Sequence, residues 1–148
     1  MNITYTTLIQ IIESFASEHL EVRRFKADFA EQITNFGTED TGYPILYCGP
    51  NSAAFNSESS SDYSQFTLNL YSFDLIIDDR KNINTILNTT SLILNDLHKY
   101  FKDGEIEGVT LINASQLQPL NNSLLDFAAG WQMSLTLEVD TYSVCSIS

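Results

Sequence analysis

Apolar residues along the chain fall into two rhythms, a helical one with spacings of three and four and an extended one with a spacing of two. The clearest extended rhythm runs from Phe127 to Val139, where every odd position is apolar and the even positions are Ala128, Gly130, Gln132, Ser134, Thr136 and Glu138. This predicts a strand with one buried face, long enough to cross the whole width of its sheet. The helical rhythm appears twice. Leu8, Ile11, Ile12, Phe15, Ala16 and Leu20 predict an amphipathic helix over about 5–21. Ile83, Ile86, Thr90, Ile93, Leu94, Leu97 and Phe101 trace a second. For that second helix Asp79 is the expected cap, Lys99 and Lys102 sit in the last turn where the dipole favours cations, and Gly104 is placed as the terminating glycine.

The connecting stretches are less regular. Val22 and Phe25 alternate with Arg23 and Arg24, predicting a short extended segment, although Phe29, Ile33 and Phe36 also fit a helical continuation. The run ILYC at 45–48 predicts a short strand stopped by Gly49 and Pro50. A polar, serine-rich stretch follows, so about 51–64 is expected to be a mobile loop, with 56–64 also fitting a hairpin tip. From 64 to 77 a long strand is expected. Its apolar positions change parity between Leu70 and Phe73, which calls for either a bulge or a strand covered on both faces. Val109, Leu111 and Ile112 predict a further strand, Pro119 with Asn121 and Asn122 a turn, and about 141–148 a C-terminal arm. The order of helix, strands, helix, strands predicts one α+β domain over 1–148. It would be a two-layer sandwich, with two helices packed on one face of a mostly antiparallel β-sheet and the other face left polar.

Charge changes this picture more than composition does. The chain carries 19 acidic against 7 basic residues, a formal net charge of -12, and its densest basic group is Arg23, Arg24 and Lys26. Electrostatic binding to phosphates is therefore disfavoured. The acidity suits solubility, or a surface that repels DNA passing close by. Cys48 and Cys145 cannot make a disulfide framework and read as reduced thiols of a protein made in the cytoplasm. The N-terminus lacks the pattern of a signal peptide, and no apolar run approaches the roughly 20 residues that would span a bilayer. The glycosylation-type triplets at Asn2, Asn88 and Asn121 therefore read as chance.

Candidate chemistry is sparse. His19 and His98 lie on predicted helices without a catalytic motif, and neither cysteine has zinc or redox spacing. Asp74, Asp78 and Asp79 have oxygen ligands for a hard cation but match no calcium loop. Phosphate loops, nucleophile elbows and paired carboxylates on a recognisable scaffold are missing from the sequence. Tyr63, Phe66, Tyr71 and Phe73 would suit a base-stacking platform, but their charged neighbours are Asp62, Asp74 and Asp78 rather than a basic groove. The expectation is a protein that is not an enzyme, without catalytic residues, metal or cofactor.

Two stretches resemble small structural proteins from the neck and tail of tailed bacteriophages, especially phages of Bacteroidota including the crAss-like group. They are YSFDLIIDDRKNINTILNTTSLILNDLHKYF at 71–101 and LNNSLLDFAAGWQMSLTLEVDTYSVCSI at 120–147. The helix ending in FASEHLEVRRF is in keeping, and the element order is similar to that of tail terminator and tail completion proteins. The resemblance implies a virion component, a head-tail connector or tail terminator, that forms a homo-oligomeric ring through which DNA passes unbound. It implies copies of itself and adjacent portal, adaptor or tail-tube proteins as partners, and no membrane. Alternatives are a minor tail or baseplate subunit, or a small soluble cytoplasmic binding or enzyme-accessory domain. On the ring reading, Arg23, Arg24, Arg80 and Lys81 are expected to meet carboxylates of the next subunit. Gln132, Ser134 and Thr136 are expected to face a neighbour or the channel.

Overall fold

The first apolar stripe folds as α1 (Tyr5–Glu18) in the computed structural model, which describes residues 3–29, 43–55, 63–76, 82–104, 106–120 and 128–140. Thr4 caps the helix, its Oγ1 accepting the Thr7 amide at 3.1 Å. The second stripe folds as α2 (Ile83–Lys102), with Lys99 and Lys102 in its last turn. Gly104 ends it at φ 67°, a conformation that favours glycine. The residue before α2 is Asn82, whose side-chain amide donates to the Leu75 carbonyl at 2.9 Å instead of capping the helix. Asp78 and Asp79, expected at this end, lie outside the described residues.

Among the described residues six strands complete an α+β fold: β1 (Arg24–Ala27), β2 (Ile45–Phe55), β3 (Tyr63–Leu75), β4 (Val109–Ala114), β5 (Gln118–Pro119) and β6 (Ala128–Asp140). Their order is β1-β2-β3-β6-β4, and β5 pairs with β6. All pairs are antiparallel except β1 with β2.

Three expectations need correction. β2 does not stop at Gly49 and Pro50 but continues to Phe55. The reason is local: β1 ends opposite Cys48, and beyond that point no described strand flanks β2 on that side, where proline's missing N–H leaves no ladder bond unmade. A register shift between Pro50 and Ser52 absorbs the irregularity. As a result 51–55 and 63–64 of the expected loop are strand, and 56–62 lies outside the described residues. Pro119, expected in a turn, instead pairs with Trp131 as part of β5, again at the margin of the sheet.

The third correction concerns the faces of the sheet. β3 pairs with β6 without interruption from Tyr63↔Asp140 to Leu75↔Ala128, so the parity change is not a bulge. The strand is covered on both faces. Leu46, Cys48, Leu68, Leu70, Met133, Leu135 and Leu137 share one cluster with Leu8, Ile12 and Phe15 of α1 and with Ile93, Leu94 and Leu97 of α2. The alternating positions Ile45, Tyr47, Tyr71, Phe73 and Leu75 form a second cluster with Tyr43, Leu120 and Ala128. The second face is therefore polar over only part of its length. β6 follows the same division, since odd positions are buried from Met133 to Val139 whereas Ala128 and Gly130 are buried at its start.

Trp131 lies on the first face, half-buried, and its indole Nε1 donates to the Leu87 carbonyl of α2 at 2.8 Å. It thereby ties helix to sheet. Trp131→Ala should lower stability by about 3 kcal/mol, the low end for a large aromatic. Gln132→Ala, one residue away on the other face, should change stability by less than about 0.5 kcal/mol. Chemical denaturation of the two variants checks both values, and equal losses would show the faces to be wrongly assigned.

Candidate functional site

The polar part of the second face is built from four adjacent strands, β2, β3, β6 and β4. Register places Gln132 beside Tyr71, Ser134 beside Asn69, and Thr136 beside Thr67, with Asn113 of β4 on the far side of Thr136. The Thr67 and Thr136 hydroxyls meet at 3.0 Å, and the Asn51 amide donates to the Asn69 Oδ1 at 3.0 Å. Gln132, Ser134 and Thr136 are each half-buried. Together these side chains form an uncharged sheet of hydroxyls and amides. One end is bordered by Glu138 and Asp140, with Gln65 reaching Glu138 at 3.5 Å. The other end runs into the apolar cluster around Phe73. Such a strip can form hydrogen bonds with a partner or with water, but it has no positive charge to hold a phosphate.

Of the four basic candidates, Arg23 and Arg24 lie among the described residues. Arg23 and Arg24 are exposed at the start of β1, on the lateral margin of the sheet. The Arg23 amide donates to the Pro44 carbonyl at 3.0 Å. Burial raises the Tyr43 phenol above its ordinary pKa, and the charge of Arg24 opposes that rise. Arg80 and Lys81 lie outside the described residues.

Elsewhere the reactive side chains have structural roles. His19 follows α1 and receives the Glu21 amide at Nδ1, at 3.1 Å. The proton is therefore on Nε2, which donates to the Asp96 carboxylate of α2 at 2.9 Å. Asp74 accepts the Leu75 amide at 2.7 Å. Among the described residues no cluster of three or more histidine, cysteine or acidic side chains is placed to hold a metal, and no helix is long and apolar enough to cross a membrane.

Cys48 is fully buried in the first cluster, and burial pushes its thiol up to about 12. The reactive thiolate is thereby suppressed. With Cys145 replaced by serine, a thiol-specific reagent should modify Cys48 quickly only after denaturation. Rapid modification of the folded protein would contradict this placement. Since the folded-state value is raised, the neutral thiol's contribution to stability is present below the unfolded pKa of roughly 8.5 and is lost as pH rises toward 12.

One further feature lies outside the two faces. An apolar groove of about 310 Å³ runs beside the edge portion of β2, lined by Tyr5, Thr6, Ile9, Ala27, Asp28, Phe29 and Pro50. Of its lining only Asp28 is charged; separately, no charged residue occurs from Thr41 to Ser57, nor from Gly108 to Leu125, a stretch that includes β4. The chain matches no protein-family model and no curated protein.

Proposed function

We propose that the chain is a structural virion protein of a tailed bacteriophage. Copies form a homo-oligomeric ring in the neck or at the tail terminus, joining head to tail and leaving a channel for DNA. The observation that carries this reading is the second face of the sheet, whose strip of Thr67, Asn69, Gln132, Ser134 and Thr136 is uncharged and ends in Glu138 and Asp140. In a chain of net charge -12, this is a wall along which a duplex can slide without adhering. The resemblance of 71–101 and 120–147 to phage neck and tail proteins supports the same reading. Those stretches contribute the end of β3, α2 and β6. Function here is assembly: ring closure creates both the channel and the surfaces on which portal, adaptor or tail-tube proteins dock.

Negative-stain electron microscopy of the purified protein tests the proposal. Annular particles with a central pore are expected. A field of single small particles at every concentration would count against a ring and favour a binding or accessory domain.

A further inference from the structure

We infer that the His19 imidazole is a pH-sensitive latch on the segment that leads into β1, releasing that segment in acid while keeping its own tie to α2; this is independent of the ring reading above. His19 closes α1, its backbone N–H donating to the Phe15 and Ala16 carbonyls. Its side chain is 13% exposed, and the Phe15 ring lies against it with centroids 5.4 Å apart. Both ring nitrogens are engaged: Nε2 donates to the Asp96 carboxylate of α2 at 2.9 Å, and Nδ1 accepts the Glu21 amide at 3.1 Å. One imidazole thus fastens the end of α1 both to α2 and to the chain that follows.

The two bonds respond differently to a proton. Because Nε2 already carries one, a second can go only to Nδ1. The Asp96 bond survives, since Nε2 remains a donor and its acceptor is a carboxylate. A positive ring also suits its place after α1, where the helix dipole favours cations. The Glu21 bond does not survive: Nδ1–H and the Glu21 N–H would be two donors aimed at one another. The ring therefore stays in place while the segment beside it is let go. The charged groups on the elements around the imidazole are Glu18 in α1, Asp96 and Lys99 in α2, and Glu21 and Arg23 on the segment itself. Histidine is the side chain whose charge ordinarily changes between about pH 5 and 8.

Little else holds this segment. Leu20 is 95% exposed, so Val22 is the side chain that packs against the first cluster. The next fixed point is the Arg23 amide, which donates to the Pro44 carbonyl at 3.0 Å, an acceptor that does not titrate. β1 follows with four residues, and among the described strands it pairs with β2 alone. The latch therefore acts on the lead-in to a strand at the margin of the sheet. Such a margin opens at lower cost than a central strand.

Hydrogen exchange of the unaltered protein tests the latch, followed from about pH 8 to about pH 5.5, resolved to single residues by mass spectrometry and corrected for the intrinsic rate at each pH. Protection of the Glu21 amide should fall about fivefold across that range, as one neutral hydrogen bond is lost, while the Arg23 amide keeps its protection. His19→Asn supplies the comparison. An asparagine oxygen accepts the amide two residues on and does not titrate, so Glu21 should be protected equally at both ends of the range. Constant protection of Glu21 in the unaltered protein, or a fall of the same size in a folded His19→Asn variant, overturns the inference. So does an equal loss at Glu21 and Arg23, which would mean a general loosening. Should His19→Asn lose its folded circular dichroism spectrum, the His19 ring protons of the unaltered protein, titrated by nuclear magnetic resonance, take its place: their midpoint should coincide with that of the Glu21 loss, and separate midpoints overturn the latch.

Discussion

Phe73→Ala should lower the free energy of unfolding by about 3 to 5 kcal/mol, as measured by urea denaturation followed through circular dichroism. Phe73 is fully buried and belongs to the second cluster, with its ring centroid 6.1 Å from that of Tyr43. Truncation would remove an aromatic ring and leave a cavity among Ile45, Tyr71 and Leu75. The size of the loss decides whether the second face of the sheet is core at this end. If that face were open to solvent, as alternation alone suggests, the change would cost less than about 0.5 kcal/mol.

Gly130→Ala should be comparably damaging, at about 3 kcal/mol, which for a domain of this size lowers the melting temperature by roughly 10 °C. Gly130 pairs with Phe73, and a Cβ placed on it would overlap the Ser72 carbonyl oxygen and crowd the Phe73 backbone. These are main-chain atoms of a central strand and cannot swing aside. Gly104 provides the contrast. It has φ 67°, but a Cβ added there would meet nothing within 4 Å, so Gly104→Ala carries only the conformational penalty of about 1 kcal/mol. Thermal melts of the two variants separate lack of space from lack of backbone freedom. Equal melting temperatures would contradict the close approach of β6 to β3.

Both helices are legible in the sequence because a stripe of spacing three and four depends only on which side of one element is buried. Leu8, Ile12 and Phe15, like Ile86, Ile93 and Leu97, mark that side without reference to anything distant. β6 is legible from Met133 onward for the same reason. What alternation cannot express is a strand covered twice. The consecutive apolar residues Ile45, Leu46, Tyr47 and Cys48 are all fully buried, which is how a strand covered on both sides reads. Pro50 and Pro119 read as breakers because a single sequence does not reveal that their strands lie at a margin, where the missing N–H does no harm.

The candidate surface is legible in part. Gln132, Ser134 and Thr136 share one sheet face, as their even spacing requires, and register adds Thr67, Asn69 and Asn113 from strands far apart in the chain. Arg23 and Arg24 sit at the sheet margin. The edges themselves are hidden, since side-chain periodicity describes faces and says nothing of lateral neighbours. Among the described residues the margins are β1 with the part of β2 beyond it on one side and β4 on the other, and only the register between strands reveals this.

The central claim is a closed ring, and native mass spectrometry of the unaltered protein tests it most directly. A dominant species at one fixed multiple of 16.7 kDa, unchanged on dilution until it dissociates, is the predicted result. A monomer of 16.7 kDa at all concentrations, or an open-ended series of masses without a preferred stoichiometry, would contradict it.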